Sequence, residues 1–388
     1  MRQIIFLFVI LQLNGHTLFS QNFSNLTFGT DSTFEVMTWN LEWFPKNGPV
    51  TVNYVIEIIE ALNVDVLAIQ EIDNNPVFDQ MLDSLDGWDG YSVVSDYLEL
   101  AYIYNSNMVE VSAIYEIFTT LTRPFPRSPL VMELTFIEKE YIVINNHLKC
   151  CGDGLIDLDD EWDEETRRKD ACELLDQYIT VNFDSKRVII TGDFNDDIAD
   201  VAPNNVFEVF LSDTNHYLAT DSEIALGSPL DWSYPTWPSH LDHVFISNEL
   251  FEDFEVGGAE VQVIKIEEDM VGGWWDYENN ISDHRPVAIK FASNDIALGI
   301  NKPNNQRAIF TIFPNPSYGV FNFAFDVVDK YAVIEIYTIN GLLIDHLTIP
   351  AGKSTAIWNT MGVQKGIYYA KFIVGAKVDD VKKLALIK

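Results

Sequence analysis

Basic residues are scarce in this chain of 388: 24 Lys and Arg stand against 59 Asp and Glu, a net charge of −35. A protein that grips a polyanion along its length presents a basic footprint, so charge neutralisation over a long surface is excluded as a source of affinity. Any phosphate substrate must instead be drawn by a local site, a bound cation or salt that screens the field. The deficit is uneven: residues 308–388 carry 8 basic against 6 acidic side chains, whereas residues 1–307 carry 16 against 53. No "GxSxG" elbow or other serine-centred motif is present, which argues against acyl transfer. Internal repeats and low-complexity tracts are also missing. Beyond residue 20 no apolar run approaches membrane-spanning length, so stable membrane insertion is not expected. The first 20 residues, with Arg2, the run "IIFLFVILQL" and Ser20, predict a secretory signal cleaved before Gln21. Cysteine is rare: Cys150, Cys151 and Cys172 are all there are. Their spacing does not suit zinc, and in an exported chain they predict one disulfide, joining Cys172 to one of the adjacent pair, plus a free thiol.

What is plentiful is short apolar runs bounded by turn residues. "FEVMTWNL", "DVLAIQEI", "LAYIYN", "LVMELTFI", "YIVINNHL", "RVIITGDFN", "LDHVFIS" and "PVAIKF" read as strands, several apolar enough to be buried on both faces. Helical patterns lie between some of them, clearest at "VNYVIEIIEALN" and "DEETRRKDACELLDQYIT". The mixture predicts an α/β domain over residues 31–293. Residues 294–307, polar and rich in Asn, read as a linker. Residues 308–388 show alternating strands separated by Gly, Pro and Asn turns, which predicts a small all-β sandwich.

Six stretches of the first domain end in polar residues where an apolar strand stops: "TWNLE" with Asn40 and Glu42, "IQE" with Glu71, "NNHLK" with His147 and Lys149, "TGDFND" with Asp193 and Asn195, "HLDH" with Asp242, and "ISDHR" with Asp283 and His284. Ligands of open α/β sheets sit beyond strand ends. Residues two apart on a strand face the same way, so Asp193 and Asn195 are expected to share a cavity, as are Asn40 and Glu42. Glu71, with no basic neighbour in sequence, suits a hard divalent cation. Carboxylates, two histidines and neutral Asn donors together fit hydrolysis of a phosphate ester. Asp283 and His284, adjacent on an extended chain, project to opposite sides. Arg167, Arg168 and Lys169 either pair with the preceding acidic run "DLDDEWDEE" or grip phosphate beside Lys149; "DWSYPTWP" and "GGWWDY" are either stacking platforms or cover for a sheet edge.

The ordered set "TWN", "QE", "NNHL", "GDFN", "LDH" and "SDH" resembles the endonuclease/exonuclease/phosphatase superfamily, over roughly Thr33 to Ala292. That superfamily includes pancreatic-type deoxyribonucleases, abasic-site endonucleases, bacterial sphingomyelinases and inositol polyphosphate phosphatases. The resemblance implies a four-layer α/β/β/α sandwich and a Mg²⁺-dependent hydrolase, with Mn²⁺ or Ca²⁺ as other candidate ions. It makes Glu71 the central metal ligand, Asn40 its neighbour and Glu42 a residue in reach of a second metal position. Asp193 would align or deprotonate water, Asn195 hold water or a phosphate oxygen, and His147 contact the scissile phosphate. His284 would be base or transition-state stabiliser, with Asp242 orienting it, which leaves Asp283 to face the metal or its waters. "FPNPSYGVF", "IEIYTINGLLI" and "KGIYYAKF" resemble the type IX secretion sorting domain, implying that export machinery as partner and a released or surface-attached product; the protein is expected to be a monomer. The substrate expected is DNA or RNA outside the cell; phospholipid head groups or small phosphate esters are the other catalytic reading, and a non-catalytic surface binding protein the third.

Overall fold

The computed structural model describes residues 23–387 apart from 24, 31, 95–97, 256–257, 293–310, 316, 326–330, 339–341 and 375–376. The expected signal peptide and linker lie outside the described residues. The chain divides into two compact units, Met1–Gly299 and Ile300–Lys388.

The first unit contains strands β1 (Thr33–Phe44), β2 (Val66–Ile72), β3 (Trp88–Ser92), β4 (Glu99–Asn105), β5 (Val109–Glu116), β6 (Leu130–Phe136), β7 (Lys139–His147), β8 (Arg187–Asp193), β9 (Tyr217–Ala219), β10 (Asp242–Ser247), β11 (Glu260–Val263) and β12 (Val287–Ala292). They form two six-stranded mixed sheets, ordered β11-β12-β1-β2-β4-β3 and β5-β6-β7-β8-β10-β9. Phe34, Val36, Val66, Ala68, Met132, Val143, Ile189, Val244 and Ile289 fill the space between the sheets. On the outer face of the first sheet Met37, Trp39, Leu67 and Ile69 pack under the helix Pro49–Leu62, through Val55, Ile58, Ile59 and Leu62. Outside the second, Ile142, Ile144, Val188 and Ile190 meet Ala171, Cys172, Leu175 and Ile179 of the helix Glu164–Asn182. This is the expected four-layer sandwich.

Strand periodicity places the site. Side chains two apart share a face, and on the faces turned toward the other sheet the sequence passes from apolar to polar toward one end. On β1 Phe34 and Val36 give way to Thr38 and Asn40; on β7 Tyr141 and Val143 to Asn145 and His147; on β8 Ile189 to Thr191 and Asp193; on β10 Ile246 and Val244 to Asp242. All these polar groups are buried, so each needs a partner. The Gln70 amide donates to Asn145 Oδ1 at 2.7 Å, and the Asn145 amide donates to the carbonyls of Ile69 and Ala101, tying the second sheet to the first just beneath the site.

The second unit holds a three-stranded antiparallel sheet and a four-stranded one. Phe321, Phe323, Ile334, Ile336, Trp358, Phe372 and Leu384 form its core, and no helix occurs among its described residues.

Candidate active site

Asp193 lies at the centre of the polar strand ends. It is paired in register with His147 on β7 and with Asp242 on β10. Close approach of these strands needs Gly192: a Cβ there would sit 2.0 Å from the Asn146 carbonyl oxygen, and its φ is 141°. Asn40 donates its side-chain amide to Asp193 Oδ2 (2.9 Å) and Glu71 Oε1 (3.2 Å), while its Oδ1 accepts the Glu42 N–H (2.9 Å). His147 Nε2 stands 3.5 Å from Asp193 Oδ2 and 3.8 Å from Glu71 Oε1. His284 Nδ1 meets Asp242 Oδ2 at 2.8 Å, and its Nε2 faces Asp193 Oδ2 at 3.9 Å and Asp283 Oδ1 at 4.0 Å.

Three of these placements depart from the strand-alternation argument. Ile69 and Ile72 both enter the outer core, three apart; the register with β4 slips between them, and Glu71 takes a left-handed φ of 64°. This bulge re-aims Glu71 toward the site, where its Oε2 accepts the Trp43 N–H at 3.1 Å. A similar step at Glu42 and Trp43 (φ 38° and 55°) means that Glu42 does not simply repeat the direction of Asn40. Nor does Asn195 continue β8. It turns at φ 55°, donates its own N–H to the Asp193 carboxylate (3.0 Å) and donates its side-chain amide to the Leu148 carbonyl (3.3 Å).

The electrostatics are those of crowded acids. Burial pushes Asp193 up to about 7, with His284 opposing and Asp242 adding to the rise. Burial likewise lifts Glu42 to about 7, Lys46 opposing and Asp283 adding to the rise. Burial disfavours a charged His284, but Asp242 and then Asp193 outweigh it and raise the ring to about 10, which favours the imidazolium. His147 is held neutral, first by burial and then by the positive charges of Arg127 and His284. Two acids that burial raises into the neutral range, on a set of oxygen donors, fit a hard divalent cation. Glu71, with Asp283 and Asn40, would hold it; as a ligand Asn40 would offer Oδ1, which now serves the Glu42 amide.

Several contributors escaped the sequence reading. Ser282 donates to the Asn40 carbonyl (2.6 Å) and accepts the His284 N–H (2.9 Å). Tyr277 takes a hydrogen bond from Trp39 Nε1 (2.9 Å) and donates to the His284 carbonyl (2.5 Å), so the helix Gly273–Asn280 fixes the His284 backbone. The Tyr234 ring lies 4.8 Å from that of His284. Lys46 pairs with Glu42, four residues earlier, a spacing the sequence did display. Arg168 is buried, bonded to Asp196 (2.7 Å), Glu165 (3.2 Å) and the carbonyls of Lys149 and Cys151, which settles it as a brace rather than a phosphate grip. The aromatic loops divide: Trp232 and Trp274 pack inward, while Trp237 and Trp275 are exposed.

A second buried cluster, Asp221, His240 and His243, has ligand-like spacing. Its ring nitrogens are already committed. His240 Nδ1 accepts the Ser233 N–H and Nε2 donates to Asp221 (2.9 Å); both His243 nitrogens donate, to Asp221 (2.7 Å) and to the Asp196 carbonyl (2.8 Å). This is an ion pair bracing the floor of the site. The expected disulfide is also corrected: all three cysteines are free thiols, with Cys172 packed in the outer core away from solvent.

The chain belongs to the endonuclease/exonuclease/phosphatase family, whose model matches residues 37–284. Family members are phosphoesterases and nucleases that depend on divalent metal. A secretion system C-terminal sorting domain follows over residues 311–387, indicating type IX export to the surface or the exterior. No helix among the described residues is long and apolar enough to cross a membrane. Two solved structures of D. rerio TDP2, one humanized by 14 mutations and one complexed with single strand DNA product, are 14% identical, cover 68% of this chain and 100% of theirs, and have a TM-score of 0.51. The human Nocturnin catalytic domain with bound sulfate is 18% identical, with 67% of this chain and 94% of that one covered and a TM-score of 0.48. No curated protein matches the chain.

Proposed function

We propose that the first unit is an exported, Mg²⁺-dependent phosphodiesterase that cleaves nucleic acid outside the cell. The observation that carries this reading is the line Asp242, His284, Asp193, with 2.8 Å between the first pair and 3.9 Å between the second. Asp242 holds the ring by Nδ1 and leaves the Nε2 proton facing the cleft, where it can stabilise charge on a phosphoryl oxygen. Asp193, the carboxylate with a raised pKa, is the group suited to take the proton of the attacking water. Neutral His147 donates to the phosphate without demanding a counter-ion. The metal, when bound, offsets the negative charge gathering on the phosphoryl group. A structural relative, D. rerio TDP2, is complexed with single strand DNA product.

The charge balance favours a second substrate class. With 16 basic against 53 acidic side chains in residues 1–307, the unit lacks a polyanion footprint, and a phospholipid head group or small phosphate ester would need none. One panel separates the two: the mature protein with Mg²⁺ against double-stranded DNA, RNA, sphingomyelin and a generic phosphodiester. We expect nucleic acid to be cleaved and EDTA to abolish the reaction. Turnover of small esters alone would move the assignment to the second class, and undiminished turnover in EDTA would overturn both.

A further inference from the structure

We propose that Cys150 and Cys151 form a vicinal dithiol that a small-molecule disulfide oxidises to a bond between neighbours. Both are exposed, and their sulfurs lie 2.9 Å apart. In an extended chain adjacent side chains point to opposite sides; here Cys151 adopts a left-handed φ of 72°, which brings both sulfurs to one side. The turn is held from below. Buried Arg168 donates to the carbonyls of Lys149 (2.8 Å) and Cys151 (2.7 Å), one on either side of Cys150. The same guanidinium grips Asp196, and Leu148, two residues before Cys150, takes the Asn195 amide. The dithiol therefore sits on the loop that backs the active site, and closing it would stiffen that loop.

The chemistry follows from the contacts. Cys151 donates its S–H to the Cys150 sulfur, and the Lys149 ammonium lies 3.9 Å from that sulfur, so charge forming on Cys150 meets two donors. Cys150 attacks the small disulfide, forming a mixed disulfide and releasing one thiolate. Cys151 loses its proton and displaces the second thiolate. Two protein thiols are oxidised, and one external disulfide is reduced to two thiols. Neighbouring Cα atoms are about 3.8 Å apart across a trans peptide, below the usual disulfide range of about 4.4–6.8 Å, so the bond is strained and easily reduced. Cys172 takes no part, since burial pushes its thiol pKa up and keeps it from solvent.

The test is thiol mapping of the full-length chain, independent of catalysis. Reduced protein is treated without denaturant with oxidised glutathione, alkylated, digested and weighed by mass spectrometry. The wild type should yield a peptide in which Cys150 and Cys151 have lost their two hydrogens, free of glutathione and restored by dithiothreitol. C150S and C151S should each retain a glutathione adduct, having no neighbour to resolve it. A wild type that keeps its adducts, leaves both thiols unreacted or links either to Cys172 would overturn the proposal.

Discussion

At the scale of single residues, the informative contrast is between two acids near His284. Asp283 is next to it in sequence, yet its Oδ1 is 4.0 Å from Nε2, whereas Asp242, on another strand, holds Nδ1 at 2.8 Å. Asp242 is fully buried, so converting it to Asn removes the charge that sustains the imidazolium without emptying space. Asp242→Asn should therefore lower kcat/KM by about 10²–10⁴-fold, close to the loss in His284→Ala. Asp283→Asn should act differently, raising the Mg²⁺ concentration for half-maximal rate with a smaller fall at saturating metal. Steady-state kinetics over a Mg²⁺ series reads both, and identical metal dependence of the two variants would refute the division. Alternation on an extended chain, the sequence argument for turning Asp283 away from His284, does not describe this segment: both residues lie in a bend ahead of β12, with the Asp283 carboxylate and the His284 ring 4.0 Å apart. Asp242 as the partner came from resemblance. Ser282 and Tyr234 were invisible, since their roles arise where separate segments meet.

At the scale of elements, the polar strand ends were readable because apolar strands of period two announce where they stop. What alternation could not supply was the left-handed turns at Glu71 and Asn195, which depend on partner strands and carbonyls distant in sequence. Nor did it reveal the pair that His243 of β10 makes with Asp221. There, burial disfavours a charged His243, but Asp221 outweighs it and raises the ring to about 8, and the histidines in turn hold Asp221 well below the usual carboxylate range. The sign of the linkage follows. A raised His243 contributes stability fully below its unfolded value of 6.5 and loses it as pH rises through about 8. A depressed Asp221 contributes above its unfolded value of 3.8 and loses it as pH falls toward its folded one. The pair thus stabilises most between these unfolded values, by about 2 kcal/mol on the His243 side. Asp221→Asn should accordingly be less stable than wild type by a margin that shrinks between pH 6.5 and 9. Urea unfolding of both proteins across that range measures the margin, and a constant one would show that His243 is not charged.

At the scale of the whole molecule, charge separates the two units as clearly as fold does. Residues 308–388 are nearly balanced, and the acidity belongs to the catalytic portion. For a nucleic-acid substrate this reverses the usual salt effect. A basic binder loses affinity with salt because counterions compete for phosphate. An acidic unit repels the polymer at long range, and salt shortens that repulsion, from a Debye length of about 30 Å at 0.01 M to about 8 Å at 0.15 M. With Mg²⁺ held saturating, KM for a long DNA should therefore fall or stay level over that range, while KM for an uncharged-tail small diester stays level. The separation works because the local metal site is screened less than the exposed acids. A KM for DNA that climbs steeply with salt would mean that a basic track, and not the acidic surface, governs how this protein meets its substrate.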